Sequence, residues 1–216
     1  MGYRLMLSQG FLITFEGGDG VGKSTLIKNL YRLLEERGES VIQTRAPGGT
    51  IVGEKIRSLL LESKIPLSDR CELFLFLADR AEHMKEVIFP ALTEGKLILC
   101  DRFNDSTLAY QGVARGLDID IVNSFCLFAT SGKVPDLTFY LDLSPKLGLE
   151  RRVQNDGEKD RIESESLVFH EKIRNAFLHI AQQDPKRVRV LDATQSPETI
   201  LNQAIKQLDD IFFSHR

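Results

Sequence analysis

A glycine-rich segment from Gly17 to Ser24 holds the residues of this sequence that are best suited to chemistry. It reads Gly-Gly-Asp-Gly-Val-Gly-Lys-Ser and matches the pattern G-x-x-x-x-G-K-[ST]. Glycines at this spacing let backbone N–H groups turn inward around phosphate oxygens, while Lys23 reaches the β- and γ-phosphates and the Ser24 hydroxyl ligates Mg²⁺. The segment, here called the cradle, therefore predicts a site for a nucleoside triphosphate with Mg²⁺. The residues predicted to contact that nucleotide are Gly17, Gly18, Asp19, Gly20, Val21, Gly22, Lys23, Ser24 and Thr25.

The cradle predicts nucleotide binding but not its use. A GTPase would carry an Asn-Lys-x-Asp motif to read guanine, and this sequence has none. Assembly ATPases that carry a deviant form of this motif have a lysine at its second position, where this chain has Gly18. The function therefore depends on what holds a second substrate.

Asp101 and Arg102 follow a short apolar run that ends at Cys100. An acid at the carboxyl end of a strand can reach Mg²⁺ through water, and the arginine can clamp an acceptor phosphate. Asp-Arg occurs four times in the chain, so only its position distinguishes this copy. The alternative is a surface ion pair.

Two sets of side chains could hold a base and a sugar. Thr107, Tyr110 and Gln111 share one face if their segment is helical, and Phe76 and Arg80 are likewise one turn apart. An aromatic ring beside a guanidinium can stack on a flat base and bond its carbonyl. Alternatively, Thr107, Tyr110 and Gln111 form a solvated helix face, and Phe76 is a residue of the hydrophobic core.

Arg57 and Asp19 are further candidates for the acceptor. Arg57 lies off the apolar stripe of its helix, so it could point at a phosphate or simply be solvated. Asp19 would repel phosphate unless its carboxylate points away, toward a sugar hydroxyl of the acceptor.

The segment from Asn155 to Glu165 is polar, dense in charge and poor in apolar residues, which predicts a surface lid. Its Arg161, with Arg151 and Arg152 just before, could stabilise charge on a transferring phosphoryl group. A charged, exposed loop is the alternative.

Apolar runs alternate with helical patterns along the whole chain. We predict an α/β fold in which a five-stranded parallel sheet has helices on both faces, as one domain over residues 1–216 with a lid at about 150–165. Such sheets bind ligands at the carboxyl ends of their strands. The predicted strands are Phe11–Phe15, Val41–Thr44, Leu97–Cys100, Leu137–Leu143 and Val188–Leu191. The predicted helices are Ser24–Arg37, a helix around Val52, Ile56, Leu59 and Leu60, Asp69–Phe89 ended by Pro90, and stretches near 105–114, 118–131, 146–155, 164–183 and 197–213.

Composition narrows the class of protein. The 216 residues carry 28 Lys and Arg against 31 Asp and Glu, a net charge of −3, which argues against a nucleic-acid binder. No apolar run is long enough to cross a membrane, and residues 1–10 show no secretory pattern. Cys71, Cys100 and Cys126 are predicted to be buried, reduced thiols of a cytoplasmic protein.

Taken together, these stretches resemble bacterial members of the thymidylate kinase family. The similarity runs in family order over nearly the whole chain, and the Ala-Tyr-Gln-Gly and Pro-Gly-Gly segments are its specific parts. The matching stretches are Phe15–Ser24, Thr44–Thr50, Gly53–Arg57, Phe76–Arg80, Asp101–Phe103, Ser106–Gly112, Pro135–Asp142, Asp160–Glu163 and Leu191–Gln195.

The resemblance implies that ATP and dTMP give ADP and dTDP with Mg²⁺, in a homodimer. It also implies a role for each matching residue. At the base, Phe76 would stack on thymine, Arg80 would donate a hydrogen bond to its O4, and Thr107 and Gln111 would lie at the base edge. At the sugar and phosphate, Tyr110 would disfavour a 2′-hydroxyl, Asp19 would hold the 3′-hydroxyl, and Arg57 and Arg102 would bind the 5′-phosphate. Arg161 would come from the lid, and the loop from Asp192 to Thr194 would border adenine. Lys23, Arg102 and Arg161 are the expected catalytic residues, and Ser24 and Asp101 the expected magnesium ligands.

The chain departs from the family pattern at three positions. Ala46 stands where a glutamate is usual, and Phe103 and Phe177 stand where tyrosine is common. Two other readings of the residues stay open: a kinase for another nucleoside monophosphate, and a nucleotide-dependent switch that has no phosphoryl acceptor.

Overall fold

Five parallel strands form the centre of the protein, seen in a computed structural model that describes residues 10–62, 66–156 and 160–213. Their order across the sheet is β2-β3-β1-β4-β5, so the first strand lies in the middle. This confirms the predicted α/β fold and parallel sheet. The strands are β1 (Phe11–Glu16), β2 (Val41–Arg45), β3 (Leu97–Asp101), β4 (Leu137–Asp142) and β5 (Val188–Asp192).

Helices connect the strands, and several of them pass into wider π-helical turns. Those turns are Ser58–Glu62, Met84–Ile88, Leu108–Ala114 and Asp209–Phe213. The α-helices are α1 (Lys23–Glu36), α2 (Ile51–Arg57), α3 (Asp69–His83), α4 (Phe89–Thr93), α5 (Asn104–Thr107), α6 (Ile119–Ala129), α7 (Pro145–Asp156), α8 (Leu167–Gln183) and α9 (Pro197–Leu208).

Alternate residues of the strands face two separate cores. Ile13 of β1 packs with residues of α1 and α9, such as Leu30 and Ala204. Its neighbour Leu12 packs on the other side with Met84, from the turn that follows α3. Because side chains alternate across a strand, this arrangement shows that helices cover both faces of the sheet.

Serine side chains begin several of the helices where the sequence suggests a start. Ser68 accepts a hydrogen bond from the backbone N–H of Cys71, and Ser166 and Ser196 cap α8 and α9 in the same way. These caps satisfy N–H groups that the first helical turn leaves without a partner.

The predicted stop at Pro90 is wrong. The chain remains helical to Thr93, because the π-helical turn Met84–Ile88 precedes α4 and places Pro90 in its first turn. The backbone stays helical across this junction, with φ at −72° for Ile88 and −62° for Phe89.

Two predictions of burial also need correction. Cys71 is exposed because it lies in the first turn of α3, on the side away from the core residues Leu73 and Leu77, whereas the other two cysteines are buried as expected. On α2 and the turn after it, Val52 and Leu59 are exposed and only the Ile56–Leu60 part of the predicted stripe is buried. Among the described residues, no helix is long and apolar enough to span a membrane.

The sheet places the cradle beside the predicted acceptor residues. Phe15 at the end of β1 pairs with Asp101 at the end of β3, so the loops that follow both strands leave the sheet side by side. On the other side of β1, Glu16 pairs with Tyr140 of β4. The candidate residues therefore meet at the carboxyl edge, where parallel sheets bind their ligands.

Candidate active site

The cradle joins β1 to α1 and its conformation depends on glycine. Gly17, Gly20 and Gly22 have φ angles of 143°, 69° and 98°, a region that other residues rarely adopt. At Gly20 a β-carbon would lie 2.1 Å from the carbonyl oxygen of Gly148, so a side chain there would displace α7. The loop therefore presents bare backbone to a ligand.

Lys23 lies in the cradle with its ammonium group directed back at the loop. Its Nζ donates to the carbonyl oxygens of Gly17 at 3.1 Å and Gly18 at 2.7 Å. Burial lowers the pKa of Lys23, and the nearby Arg102 lowers it further. A buried cation at this point would be stabilised by the negative charge of a phosphate.

Asp101 and Ser24 fit a magnesium ion. The Oδ1 atom of Asp101 is buried and has no hydrogen-bond partner in the described part of the chain, and both residues line the same cavity. Mg²⁺ prefers one or two protein oxygens together with water and phosphate. The described residues contain no cluster of three His, Cys, Asp or Glu that could hold a metal ion.

Arg102 has an unusual backbone conformation, with φ at 69°. Its N–H donates to the carbonyl oxygen of Phe15 at 3.0 Å, which ties it to β1. Its guanidinium donates to Asp19 at 2.9 Å and to Ser106 at 3.2 Å, and lies 5.1 Å from the ring centre of Tyr110. Left-handed conformations of this kind persist where surrounding structure enforces them, and they cluster at functional sites.

The Asp19 carboxylate turns toward Arg102, whose Nη2 donates to its Oδ1 at 2.9 Å. Burial by itself would raise the pKa of Asp19, but the positive charges of Arg102 and Lys23 lower it. Asp19 therefore stays ionised, and its predicted contact with a sugar hydroxyl stays a prediction.

Glu16 was not predicted from the sequence as a site residue. It is fully buried at the end of β1, where it accepts hydrogen bonds from the Phe103 N–H at 2.7 Å and from the Ser106 hydroxyl. Burial, followed by the charge of Asp105, raises its pKa to about 7. The sequence did carry a signal for this residue, because Glu16 is a lone acidic residue at the end of a strand that is otherwise buried.

Phe76 and Arg80 lie on the face of α3 that borders the cavity. Arg80 is only 3% exposed, and its guanidinium carbon lies 4.3 Å from the ring centre of Phe103. Its Nε and Nη1 atoms have no hydrogen-bond partner among the described residues. A buried guanidinium with unused donors is suited to a carbonyl oxygen of a ligand.

Thr107, Tyr110 and Gln111 are buried and line the same cavity, as their spacing suggests. They come from α5 and the π-helical segment Leu108–Ala114, and Phe76 packs against the apolar cluster that contains Tyr110. Burial raises the pKa of Tyr110, so its phenol stays protonated.

The loop after β2 closes another side of the cavity. Arg57 of α2 lines it and donates to the carbonyl oxygen of Pro47 at 3.1 Å. The Gly48 N–H donates to Asp79 at 2.9 Å, which fixes the loop to α3. Ala46, which replaces the usual glutamate, is buried and its N–H donates to the carbonyl oxygen of Asp101 at 2.9 Å.

The predicted lid falls partly outside the described residues, at 157–159. Arg161 turns toward α3, where it donates to Glu72 and, at 2.9 Å, to the carbonyl oxygen of Leu60. It is not among the residues that line the cavity. Arg152 does line the cavity, and it donates to Glu163 at 2.7 Å.

These side chains surround one cavity of about 500 Å³, within the usual range for small-molecule sites. Gly17 and Gly18 do not line it, because their carbonyls hold Lys23 from behind. Six of its lining residues are cationic and four are acidic, a balance that suits polyanionic ligands. The predicted residues that line it are Asp19, Gly20, Val21, Gly22, Lys23, Ser24, Thr25, Arg57, Phe76, Arg80, Asp101, Arg102, Thr107, Tyr110 and Gln111.

Comparison with known proteins agrees with this architecture. The family model described as thymidylate kinase matches residues 15–204. The chain is 48% identical to a thymidylate kinase of Protochlamydia amoebophila over 210 residues, which cover 94% of this chain and 93% of that protein. It is 45% identical to a thymidylate kinase of Gloeobacter violaceus, over 94% of this chain and 95% of the relative.

The chain belongs to the thymidylate kinase family. A crystal structure of thymidylate kinase from Ehrlichia chaffeensis superposes with a TM-score of 0.76 at 32% identity, covering 93% of this chain and 98% of that one. The family membership confirms the resemblance drawn from the motifs. In this member of the family, the cradle and Arg102 follow adjacent strands of the sheet.

Proposed function

We propose that the protein transfers the γ-phosphoryl group of ATP to dTMP, which gives ADP and dTDP. The observation that carries the proposal is the continuity of the cavity. Lys23 and Ser24 line one end of it and Phe76 and Arg80 line the other. A triphosphate and a monophosphate can therefore meet within one site, with their phosphates toward the same strand ends.

The donor would bind in the cradle. Backbone N–H groups and Lys23 would hold its β- and γ-phosphates, while Ser24 and Asp101 would hold Mg²⁺. When bound there, the ion neutralises negative charge on the β- and γ-phosphate oxygens. The unpartnered Oδ1 of Asp101 supports this assignment.

The phosphate of dTMP would bind to Arg57 and Arg102, and its base would lie against Phe76. Arg80 would donate to the thymine O4, which would satisfy nitrogen atoms that lack a partner in the described structure. Asp19, already within 2.9 Å of Arg102, would accept a hydrogen bond from the 3′-hydroxyl.

At the sugar and base edge, Tyr110 would occupy the space of a 2′-hydroxyl and thus favour deoxyribose. Thr107 and Gln111 would face the base edge. All three side chains are buried in the cavity wall, which limits their freedom to rearrange around a different ligand.

Catalysis would need no general base, because the attacking phosphate oxygen is already ionised near neutral pH. The residues would act by aligning the two substrates and by stabilising charge that spreads over the transferring group. Arg102 is suited to that role because it stays charged: burial by itself would lower its pKa, but the carboxylates of Asp19 and Asp101 raise it.

We assign the lid residues separate tasks within this proposal. Arg152 would supply positive charge to the transferring phosphoryl group, since it lines the cavity. Arg161, expected from the sequence to be catalytic, would instead anchor the lid segment to Glu72. Replacing each arginine by glutamine would distinguish them, because the Arg152 variant would lose kcat and the Arg161 variant would mainly raise KM.

One assay tests the proposed function. Purified protein is incubated with Mg-ATP and equal concentrations of dTMP, dUMP, dCMP, dGMP and UMP, and the diphosphates are separated by chromatography. We expect dTDP to form fastest. The proposal would be wrong if dTDP formed no faster than dUDP, dCDP, dGDP or UDP. It would also be wrong if ATP were hydrolysed without any acceptor being phosphorylated.

We further propose that the enzyme is a cytoplasmic homodimer that pairs through α3 and α6. Phe74, Ile121 and Phe128 are 55%, 53% and 87% exposed, and the ring of Phe125 lies 5.8 Å from that of Phe74. Large apolar side chains clustered on a surface commonly mark an interface between proteins.

A further inference from the structure

Glu72 joins three parts of the molecule behind the base end of the cavity. Its side chain is 2% exposed. Its Oε1 accepts from the Gln111 Nε2 at 2.8 Å and from the Arg115 Nε at 3.1 Å. Its Oε2 accepts from the Arg115 Nη2 at 3.2 Å and from Arg161 of the lid segment. Four donors on two oxygens leave Glu72 no freedom to rotate.

These donors also fix the charge state of Glu72. Burial would raise the pKa of this carboxyl, but the hydrogen bonds from Arg115, Gln111 and Arg161 lower it. The ionised carboxylate can only accept hydrogen bonds. A side-chain amide that faces it must therefore present its NH₂ group.

The consequence falls on Gln111, whose amide has one donor end and one acceptor end. Glu72 takes the Nε2 end, so the carbonyl Oε1 is the atom turned away from Glu72. Gln111 lines the cavity next to Thr107 and Tyr110. The amide therefore offers an acceptor to a base bound there.

We propose that Glu72 is a positioning residue that selects thymine over cytosine by fixing the orientation of the Gln111 amide. This inference rests on the proposed function. Thymine carries a hydrogen on N3 and would donate it to the Gln111 Oε1. Cytosine has a bare acceptor at N3, which would face that same oxygen and leave two buried acceptors without a donor.

The test is the substrate preference of the Glu72→Gln variant. The ratio of kcat/KM for dTMP to kcat/KM for 5-methyl-dCMP is measured, since these substrates differ only at N3 and position 4. A glutamine at position 72 can donate or accept, so the Gln111 amide is free to turn. We expect the ratio to fall by about tenfold or more, the scale of one mismatched buried hydrogen bond.

Arg115→Gln is the matched control. It removes two hydrogen bonds to Glu72, one to Glu165 and a positive charge, but it leaves the contact between Glu72 and Gln111. We expect its ratio to stay within about twofold of the wild type, even if its stability falls. If Glu72→Gln alone does not fold, the paired variant Glu72→Gln/Arg115→Gln keeps the charge balance of the cluster and is compared with Arg115→Gln.

An unchanged ratio after the loss of Glu72 would overturn the inference. So would an equal fall in the Arg115→Gln control, because the effect would then come from general loosening of the cavity wall. A wild-type protein that makes no dTDP would instead refute the proposed function, and the inference with it.

Discussion

Glu16 gives a stability prediction that follows from its burial between β1 and the segment after Arg102. Its pKa of about 7 lies above the ordinary value of 4.5, because burial and the charge of Asp105 disfavour the ionised form. The folded protein therefore binds this proton more tightly than the unfolded chain does. The stabilisation is fully present below pH 4.5 and is lost as the pH rises through about 7.

The size of the effect follows from the shift in pKa. Each pKa unit corresponds to about 1.4 kcal/mol, so titration of Glu16 is expected to lower the free energy of unfolding by roughly 2–3 kcal/mol between pH 5 and pH 8. Glutamine at this position keeps the shape but does not titrate. The Glu16→Gln variant should therefore lack this part of the pH dependence.

The measurement is urea unfolding of wild type and Glu16→Gln at intervals from pH 5 to pH 8, followed by circular dichroism. The difference in unfolding free energy between the two proteins should change with pH in favour of the variant as the pH rises. Glu36→Gln, an exposed substitution on α1, is the control and should track the wild type. Parallel curves for wild type and Glu16→Gln would refute the reasoning.

The remaining predictions concern catalysis, binding, assembly and thiol chemistry. Lys23→Ala and Arg102→Ala should each lower kcat at least about 100-fold, the scale for a lost charge at a transition state; near-normal turnover would remove that residue from the mechanism. Arg80→Met should raise KM for dTMP in steady-state assays, and an effect on the ATP constant alone would contradict its placement. Phe128→Asp should convert a dimer to a monomer in sedimentation experiments, and a sedimentation coefficient equal to that of the wild type would contradict the α3–α6 interface. Cys71 should react with a thiol reagent in the native state while the buried cysteines react only on unfolding, and equal rates for all three would contradict the described burial.

The sequence predicts the three central strands, β1, β3 and β4, well because they are short apolar runs in which nearly every residue is buried. The edge strands β2 and β5 are only partly buried. The cradle is predicted for a different reason, since its glycines and Lys23 occupy fixed offsets that few other structures require. The π-helical turn Met84–Ile88 escapes prediction because it has no side-chain signature, and it is this turn that lets the helix pass Pro90.

Side chains that act through other side chains are the hardest to predict. The polar segment around Arg161 predicts a catalytic role, which stays a prediction, and only the fold shows that Glu72 lies close enough to bind this arginine. Glu72 did carry a signal, since it shares a helix face with Phe76 and Arg80 at intervals of four residues. A charged residue on the same helix face as two predicted ligand contacts is therefore a useful marker of a positioning residue.

The position of β1 between β3 and β4 has a consequence for how this enzyme could change its substrate. Apart from Arg57 on α2, the proposed phosphate contacts come from the loops after β1 and β3, neighbouring strands held about 4.8 Å apart by the sheet. The proposed base contacts come from α3 and from residues 107–111, which can be substituted without disturbing that spacing. Engineering for a new nucleobase should therefore begin on those two elements and leave the strand ends untouched.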